Sequence, residues 1–177
     1  MAAITASTWA ASTAKSKRDY VTPTTGGNYW YYALNAGTTD TSEPVWPTTP
    51  GVTVVDNDIT WQCVAVLQLV PDFTYSWASA DDTVIVDFEG GYEQRTSGVR
   101  GIRKTFQCQF VNRPAADKTT MEAFELAQWG RRYTFIYLDP VDSAYYRVRF
   151  VDAGITFSKD NPATVFSWSF ALTERIE

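Results

Sequence analysis

Residues 102–112 read IRKTFQCQFVN, and the alternation within them decides the fold class. Ile102, Phe106, Cys108 and Phe110 fall on one side of an extended chain, while Arg103, Thr105, Gln107 and Gln109 fall on the other. Successive side chains of a strand point to opposite faces, so this period of two predicts a half-buried strand with one wet or partner-facing side. Residues 165–175, VFSWSFALTER, repeat the pattern with Phe166, Trp168, Phe170 and Leu172 against Ser167, Ser169, Ala171 and Thr173.

Outward from these two strands, further candidates are FTYSW (73–77), TVIVDF (83–88), RYTFIYL (132–138) and YYRVRFV (145–151). One helix is expected among them, in ADKTTMEAFELAQWG (116–130). There Thr119 and Glu122 match a capping box, good helix formers follow, and Gly130 stands where a C-terminal cap belongs. Its apolar face, Met121 and Phe124 with Ala127 at the margin, predicts packing on one edge of the sheets. The expected unit is a β-sandwich with a single flanking α-helix.

The first 70 residues are rich in Thr, Ala, Pro and aromatics, with strand candidates at 28–36 (NYWYYALNA), 52–55 (VTVV) and 59–68 (ITWQCVAVLQ). The prolines of GTTDTSEPVWPTTPG (37–51) make that connection a loop. VVDNDITW (54–61) predicts a tight hairpin, because Asn and Asp tolerate positive φ between apolar runs. The pattern changes near VPDF (70–73), which predicts a small all-β unit over 1–70 ahead of the sandwich over 71–177.

At 177 residues the chain has room for one ordinary domain or two small ones. With 45% hydrophobic and 15% aromatic residues it can bury a core, which argues against disorder. A net charge of -5 offers no basic footprint for sequence-specific nucleic-acid binding. An acidic protein meets DNA instead as the repelling wall of a channel. No stretch approaches the roughly 20 apolar residues of a membrane span, and the first 20 residues lack the apolar run of a leader. That predicts no membrane insertion and a chain made and used without secretion.

There is no histidine, which excludes Ser/His/Asp and Cys/His nucleophile systems and histidine-ligated zinc. Cys63 and Cys108 lie far apart and are expected as buried free thiols. Asp56 and Asp58 lack the other oxygen ligands of a calcium loop and are expected in a plain hairpin turn. Asp81 and Asp82, or Asp87 and Glu89, could be an acid and base pair only if held roughly 5 to 9.5 Å apart across a cleft. Solvated loop charge suits them better. Arg100, Arg103 and Lys104, with Arg131 and Arg132, have acids nearby and read as surface or interface groups. No catalytic residue, metal ligand or cofactor is predicted.

Two features invite a partner. The aromatics Trp9, Tyr29, Trp30, Tyr31, Tyr32, Trp46 and Trp61 exceed what a small core easily holds. Trp9, Trp30, Tyr32 and Trp46 are the candidates for a flat platform for a sugar ring or a partner protein, with core filling an equal alternative. The second is EGGYEQRTSGVRG (89–101), a long connection between strands. Gly90 and Gly91 permit a sharp reversal, and Tyr92, Gln94 and Arg95 then offer a packing anchor and polar arms. In a ring of identical subunits this loop becomes an arm reaching a neighbour.

The run VDFEGGYEQRTSGVRGIRKTFQCQF (86–110) resembles the start of the phage minor tail protein M family, whose members carry an F-G-D/N-G-Y-x-Q-R loop followed by a Thr/Tyr- or Thr/Phe-containing strand. The likeness continues through the helix, RRYTFIYLDP (131–140), YYRVRF (145–150) and the closing strand, and so covers about 71–177. Glu89, Gly90 and Gly91 stand where the family commonly has Gly-Asp/Asn-Gly. The resemblance implies a tail-tube-like sandwich without enzymatic activity or cofactor, forming a homohexameric ring at the tail tip of the virion after assembly in the host cytoplasm. It implies a tail tube protein above, a tail-tip hub protein below, and DNA as non-specific passing cargo. Gly90, Gly91, Tyr92, Gln94 and Arg95 are then expected at an intersubunit or inter-ring contact.

YWYYALNAGTTDTSEPVWPTTPGVTVVDNDITWQC (29–63) resembles a small β module of phage tail and fibre proteins, through its A-G-T-S/T-x-x-x-E-P-x-W-P run and terminal T-W-x-C. That module is similar to small chitin-binding-type modules. The alternative it implies is a carbohydrate-binding tail adhesin whose partner is a host surface glycan.

Overall fold

The structure is a computed structural model and describes residues 3–72, 76–80, 84–89, 92–96, 103–160 and 164–175. It is mainly β with one helix, in several sheets. The first strands are β1 (Ala6–Thr8), β2 (Ala14–Lys15), β3 (Tyr20–Thr22), β4 (Tyr29–Ala33), β5 (Gly37–Thr38), β6 (Thr53–Asp56) and β7 (Ile59–Ala65). Five of them form a sheet in the order β1-β3-β4-β7-β6, parallel only between β1 and β3, and β2 pairs with β5 in a short ribbon. Asp56 sits opposite Ile59, so Asn57 and Asp58 make the expected tight turn, with Asn57 at φ 51°.

This sheet is covered on both faces. Odd-numbered Tyr31, Ala33, Ile59, Trp61 and Cys63 pack together with Val21 under Trp46 of the 37–51 loop. Even-numbered Trp30, Tyr32 and Val64 pack on the other face with Tyr20 and Ile136. A strand covered on both sides reads as an unbroken apolar run, which is why β4 is YWYYA and not an alternating sequence.

The remaining elements are β8 (Ser76–Ala80), β9 (Val84–Phe88), β10 (Tyr92–Thr96), β11 (Arg103–Pro114), α1 (Ala115–Ala127), β12 (Phe135–Leu138), β13 (Tyr145–Phe150), β14 (Phe157–Asp160) and β15 (Val165–Glu174). The larger sheet is antiparallel in the order β12-β13-β15-β11-β8, with β14 also pairing on β15. The two alternating stretches are neighbours in it, with Phe106 opposite Leu172, Cys108 opposite Phe170 and Phe110 opposite Trp168. All six side chains are buried, and the Phe110 and Trp168 rings stack at 5.0 Å. Ile102 lies outside the described residues.

The helix covers this core with Met121, fully buried, and Phe124, whose ring stands edge-on to Phe135 at 5.0 Å. Its start differs from the sequence expectation. It begins at Ala115 behind Pro114, which is extended (φ -64°, ψ 158°) and makes no side-chain cap. Thr119 is already inside the helix, and its hydroxyl donates to the Ala115 carbonyl at 3.0 Å in place of capping. The proline imposes an extended residue directly before the helix, and that outweighs the capping-box pattern further along. Gly130 follows the helix end at φ 60°, as expected of a residue free to adopt the left-handed region.

Residues 65–69 run from the smaller sheet to the larger. Ala65 and Leu67 lie in the core of the larger sheet, Val66 forms a parallel bridge with Ile136, and the Leu67 amide donates to the Ile136 carbonyl at 2.8 Å. Ile4 bridges Tyr145 in the same region. No helix among the described residues is long and apolar enough to cross a membrane.

Candidate interaction surfaces

The segment read as a loop over 89–101 is in part a strand. Residues 92–96 form β10, paired antiparallel with β9, with Tyr92 opposite Phe88 and Thr96 opposite Val84. The glycines and polar residues suggested a loop, but the register along β9 extends YEQRT into a ribbon. Gly90 and Gly91 lie outside the described residues, as do 97–102.

Side chains directly opposite in an antiparallel pair share a face. One face of the ribbon therefore carries Val86, Phe88, Tyr92 and Gln94, and the other carries Ile85, Asp87, Glu93 and Arg95. Tyr92 and Gln94 thus sit together on the apolar face, with Arg95 on the charged one. Both faces are exposed, Tyr92 to 77%. Arg95 pairs with Glu93 at 2.7 Å in open solvent, an interaction that contributes about 0–1 kcal/mol. Among the described residues the ribbon pairs with no further strand.

The four aromatics expected as a platform do not meet on one surface. Trp9, Trp30 and Tyr32 are buried and Trp46 is half-buried. Trp30 lies 4.7 Å from the Tyr145 ring, and the Arg147 guanidinium stands over Tyr32 at 4.3 Å. Trp9 donates its indole N–H to Asp56 Oδ2 at 2.9 Å. Trp46 packs on Tyr31 at 4.1 Å and donates to Glu43 Oε1 at 2.7 Å. The aromatic surplus is consumed because the small sheet has two covered faces, which favours the core-filling alternative for these residues.

Asp56 is the site residue that sequence reasoning missed. It is a buried acceptor, receiving Trp9 and Trp61 (3.0 Å) on Oδ2 and the Asp40 amide (2.8 Å) on Oδ1. A hairpin position alone carried no signal of this. Burial works against ionisation of Glu43, but hydrogen bonds from the Thr24 hydroxyl, the Trp46 indole and the Thr24 amide outweigh it and hold the carboxyl below its ordinary range.

On the larger sheet, Lys104 Nζ donates to Tyr146 Oη at 2.6 Å and to Asp142 Oδ2 at 3.1 Å, beneath the half-exposed Trp77 ring. Burial opposes the charge on Asp142, yet hydrogen bonds from Tyr146, the Ala144 amide and Lys104 hold it low. Burial opposes the charge on Lys104 as well, and its contacts with Tyr146 and Asp142 outweigh this and hold it high. Cys63 and Cys108 are free and buried, and burial pushes both thiols up to about 12, far from a reactive thiolate. No metal-binding cluster of acidic or cysteine side chains occurs among the described residues.

A last surface lies at the end of α1. Leu126, Trp129, Ile155 and Phe157 wall an open groove of about 740 Å³, with Glu122 and Glu125 along it.

Among the described residues the molecule is thus a mainly β protein with one helix, and its open features include a two-stranded ribbon and a groove walled by apolar side chains and two glutamates. No family model and no curated protein matches the chain. Among solved structures, a chain described as "Virion of native gene transfer agent (GTA) particle" is similar over 70% of this chain and 88% of its own length, at 16% identity and a TM-score of 0.37.

Proposed function

We propose that this chain is a structural virion protein that forms a sixfold ring at the distal end of a phage tail tube, joins the tube to the tail-tip hub and encloses the DNA channel. The observation that carries this reading is the β9–β10 ribbon. A two-stranded ribbon alone in water is at best marginally stable. One that keeps Val86, Phe88 and Tyr92 open on a single face is suited to pairing with another surface. The resemblance of residues 71–177 to the minor tail protein M family supports the same reading, since Phe88, Tyr92, Gln94 and Arg95 stand at positions of its loop motif, although Glu89, Gly90 and Gly91 depart from it.

In this reading residues 71–177 make the ring, and the small β unit of residues 1–70, packed on it through Ile136 and Tyr145, lies on its outside. Tyr92 and Gln94 engage a neighbour through the apolar face, and Arg95 serves the other side of the arm. The chain works without turnover, and DNA passes as non-specific cargo through a ring of chains whose net charge of -5 disfavours holding phosphates. The adhesin reading draws no support from the aromatics, because Trp9, Trp30 and Tyr32 are not open to a sugar ring.

The test is cryo-electron microscopy of virions refined without imposed symmetry, together with a Tyr92→Ala/Arg95→Ala variant. A sixfold ring at the tube end, and unjoined or tipless tails from the variant, are expected. The chain found only in peripheral fibres, or normal infectious tails from the variant, overturns the proposal.

A further inference from the structure

Strand β12 serves two cores. Phe135 and Tyr137 lie in the core of the larger sheet, whereas Ile136 between them is fully buried among Tyr20, Trp30, Tyr32 and Val64 of the smaller one. The adjoining β13 divides in the same way. Tyr146 and Val148 enter the larger core, while Tyr145 packs on Trp30 with ring centres 4.7 Å apart and the Arg147 guanidinium lies over Tyr32. Successive residues of a strand face opposite ways, so both strands are walls common to the two units.

The chain that joins the units is tied on either side. The Val66 amide donates to the Asn28 carbonyl at 3.0 Å, and the Leu67 amide donates to the Ile136 carbonyl at 2.8 Å. Ala65 and Leu67 are buried in the larger core. Beyond them, the Val70 carbonyl accepts from Arg113 at 2.9 Å, the Asp72 amide donates to the Gln109 carbonyl at 2.9 Å, and the Asp72 carboxylate pairs with Arg113. Two further ties come from other parts of the small unit. The Ile4 amide donates to the Tyr145 carbonyl at 2.9 Å. Gly51, at φ 83°, approaches Tyr133 so closely that a β-carbon there would stand 2.6 Å from the ring.

Units within one chain move relative to each other by default unless the interface between them is large and apolar. A hinge also needs a few residues that can absorb a change of backbone angle. Here the joining chain is held by hydrogen bonds at 66, 67, 70 and 72, and parting the units would bring Trp30, Tyr32 and Ile136 into water. We propose that the small β unit and the sandwich open and unfold as one cooperative block, so that a displacement of the small unit reaches the larger sheet through β12 and β13 with no hinge between them. In the ring reading this makes the outer unit a rigid extension of the ring wall; the block itself does not rest on that reading.

The two thiols report the two cores separately, since Cys63 lies in the smaller and Cys108 in the larger. The test titrates the full-length protein with urea, applies a brief pulse of a thiol reagent at each concentration, and reads each cysteine by peptide mass spectrometry. Coincident midpoints for Cys63 and Cys108 are expected. Two variants outside the shared strands, Val21→Ala in the smaller core and Met121→Ala in the larger, should each lower both midpoints together. At a urea concentration on the foot of the parent's transition, each variant should raise the labelling of both thiols at least about tenfold. Separate midpoints in the parent, or a variant that leaves the thiol of the other core where it was, overturn the single block.

Discussion

Trp9 and Trp61 donate their indole N–H groups to the same oxygen of Asp56, at 2.9 and 3.0 Å, although 52 residues separate them in the chain. With the Asp40 amide on the other oxygen, one buried carboxylate fastens the N-terminal arm, the 37–51 loop and the β6–β7 turn. Removing the acceptor leaves three buried or half-buried donors unpaired. Asp56→Ala is expected to lower the unfolding free energy by about 3 kcal/mol. Asp56→Asn retains an acceptor oxygen and costs about 1–2 kcal/mol. Urea titrations of the three proteins check the order, and an Asp56→Ala midpoint equal to that of the parent removes the fastening role.

The two tryptophans expected on a platform separate in a single experiment. Trp30 is buried between Tyr20 and Tyr145, so Trp30→Ala should destabilise by about 3–5 kcal/mol. Trp46 is half-buried over Tyr31 and Trp61, and Trp46→Ala should cost less, about 2 kcal/mol. Unchanged stability in Trp30→Ala together with lost binding to a chitin oligomer is the result that restores the platform.

Two carboxyls contribute to the acid limb of stability. Asp142 and Glu43 are held below their ordinary values of 3.8 and 4.5 by hydrogen bonds that outweigh burial. A lowered value in the folded state means that the unfolded chain binds more protons in acid, so this stabilisation is present at neutral pH and lost as pH falls through the carboxyl range. Thermal midpoints should fall on acidification below about pH 5. Asp142→Asn should start lower at pH 7 and fall less steeply, and parallel curves would exclude Asp142 from the effect.

The thiols give a direct reading of core integrity. Cys63 and Cys108 are buried with their ionisation pushed up to about 12, so a thiol reagent at pH 8 should find almost nothing in the native protein and two groups after denaturation. A rapid native phase of one equivalent would show that one of the two cores opens.

Much of the larger sheet was legible in its residues. The alternation of 102–112 and 165–175 predicted which side chains are buried, and Phe106, Cys108, Phe110, Trp168, Phe170 and Leu172 are. The Asn57–Asp58 turn, the Met121 and Phe124 face of the helix and the left-handed Gly130 were equally plain. The short β1, β2, β3, β5 and β14 span two to four residues, too few for a period to show.

What the sequence determined by itself is what nearest neighbours encode: the extended or helical habit of a segment and the face on which its apolar residues fall. What covers each face was decided only by tertiary structure. Ile136, 106 residues after Trp30, caps the second side of β4 and turns an apparent aromatic platform into core. Pro114 displaces a helix start that a capping pattern placed later, and β9 recruits YEQRT from loop to strand. Trp129 is turned outward by the backbone that follows α1. In each case the deciding partner is remote in the chain or is a backbone geometry that local periodicity does not record, because burial depends on where the rest of the chain comes to lie.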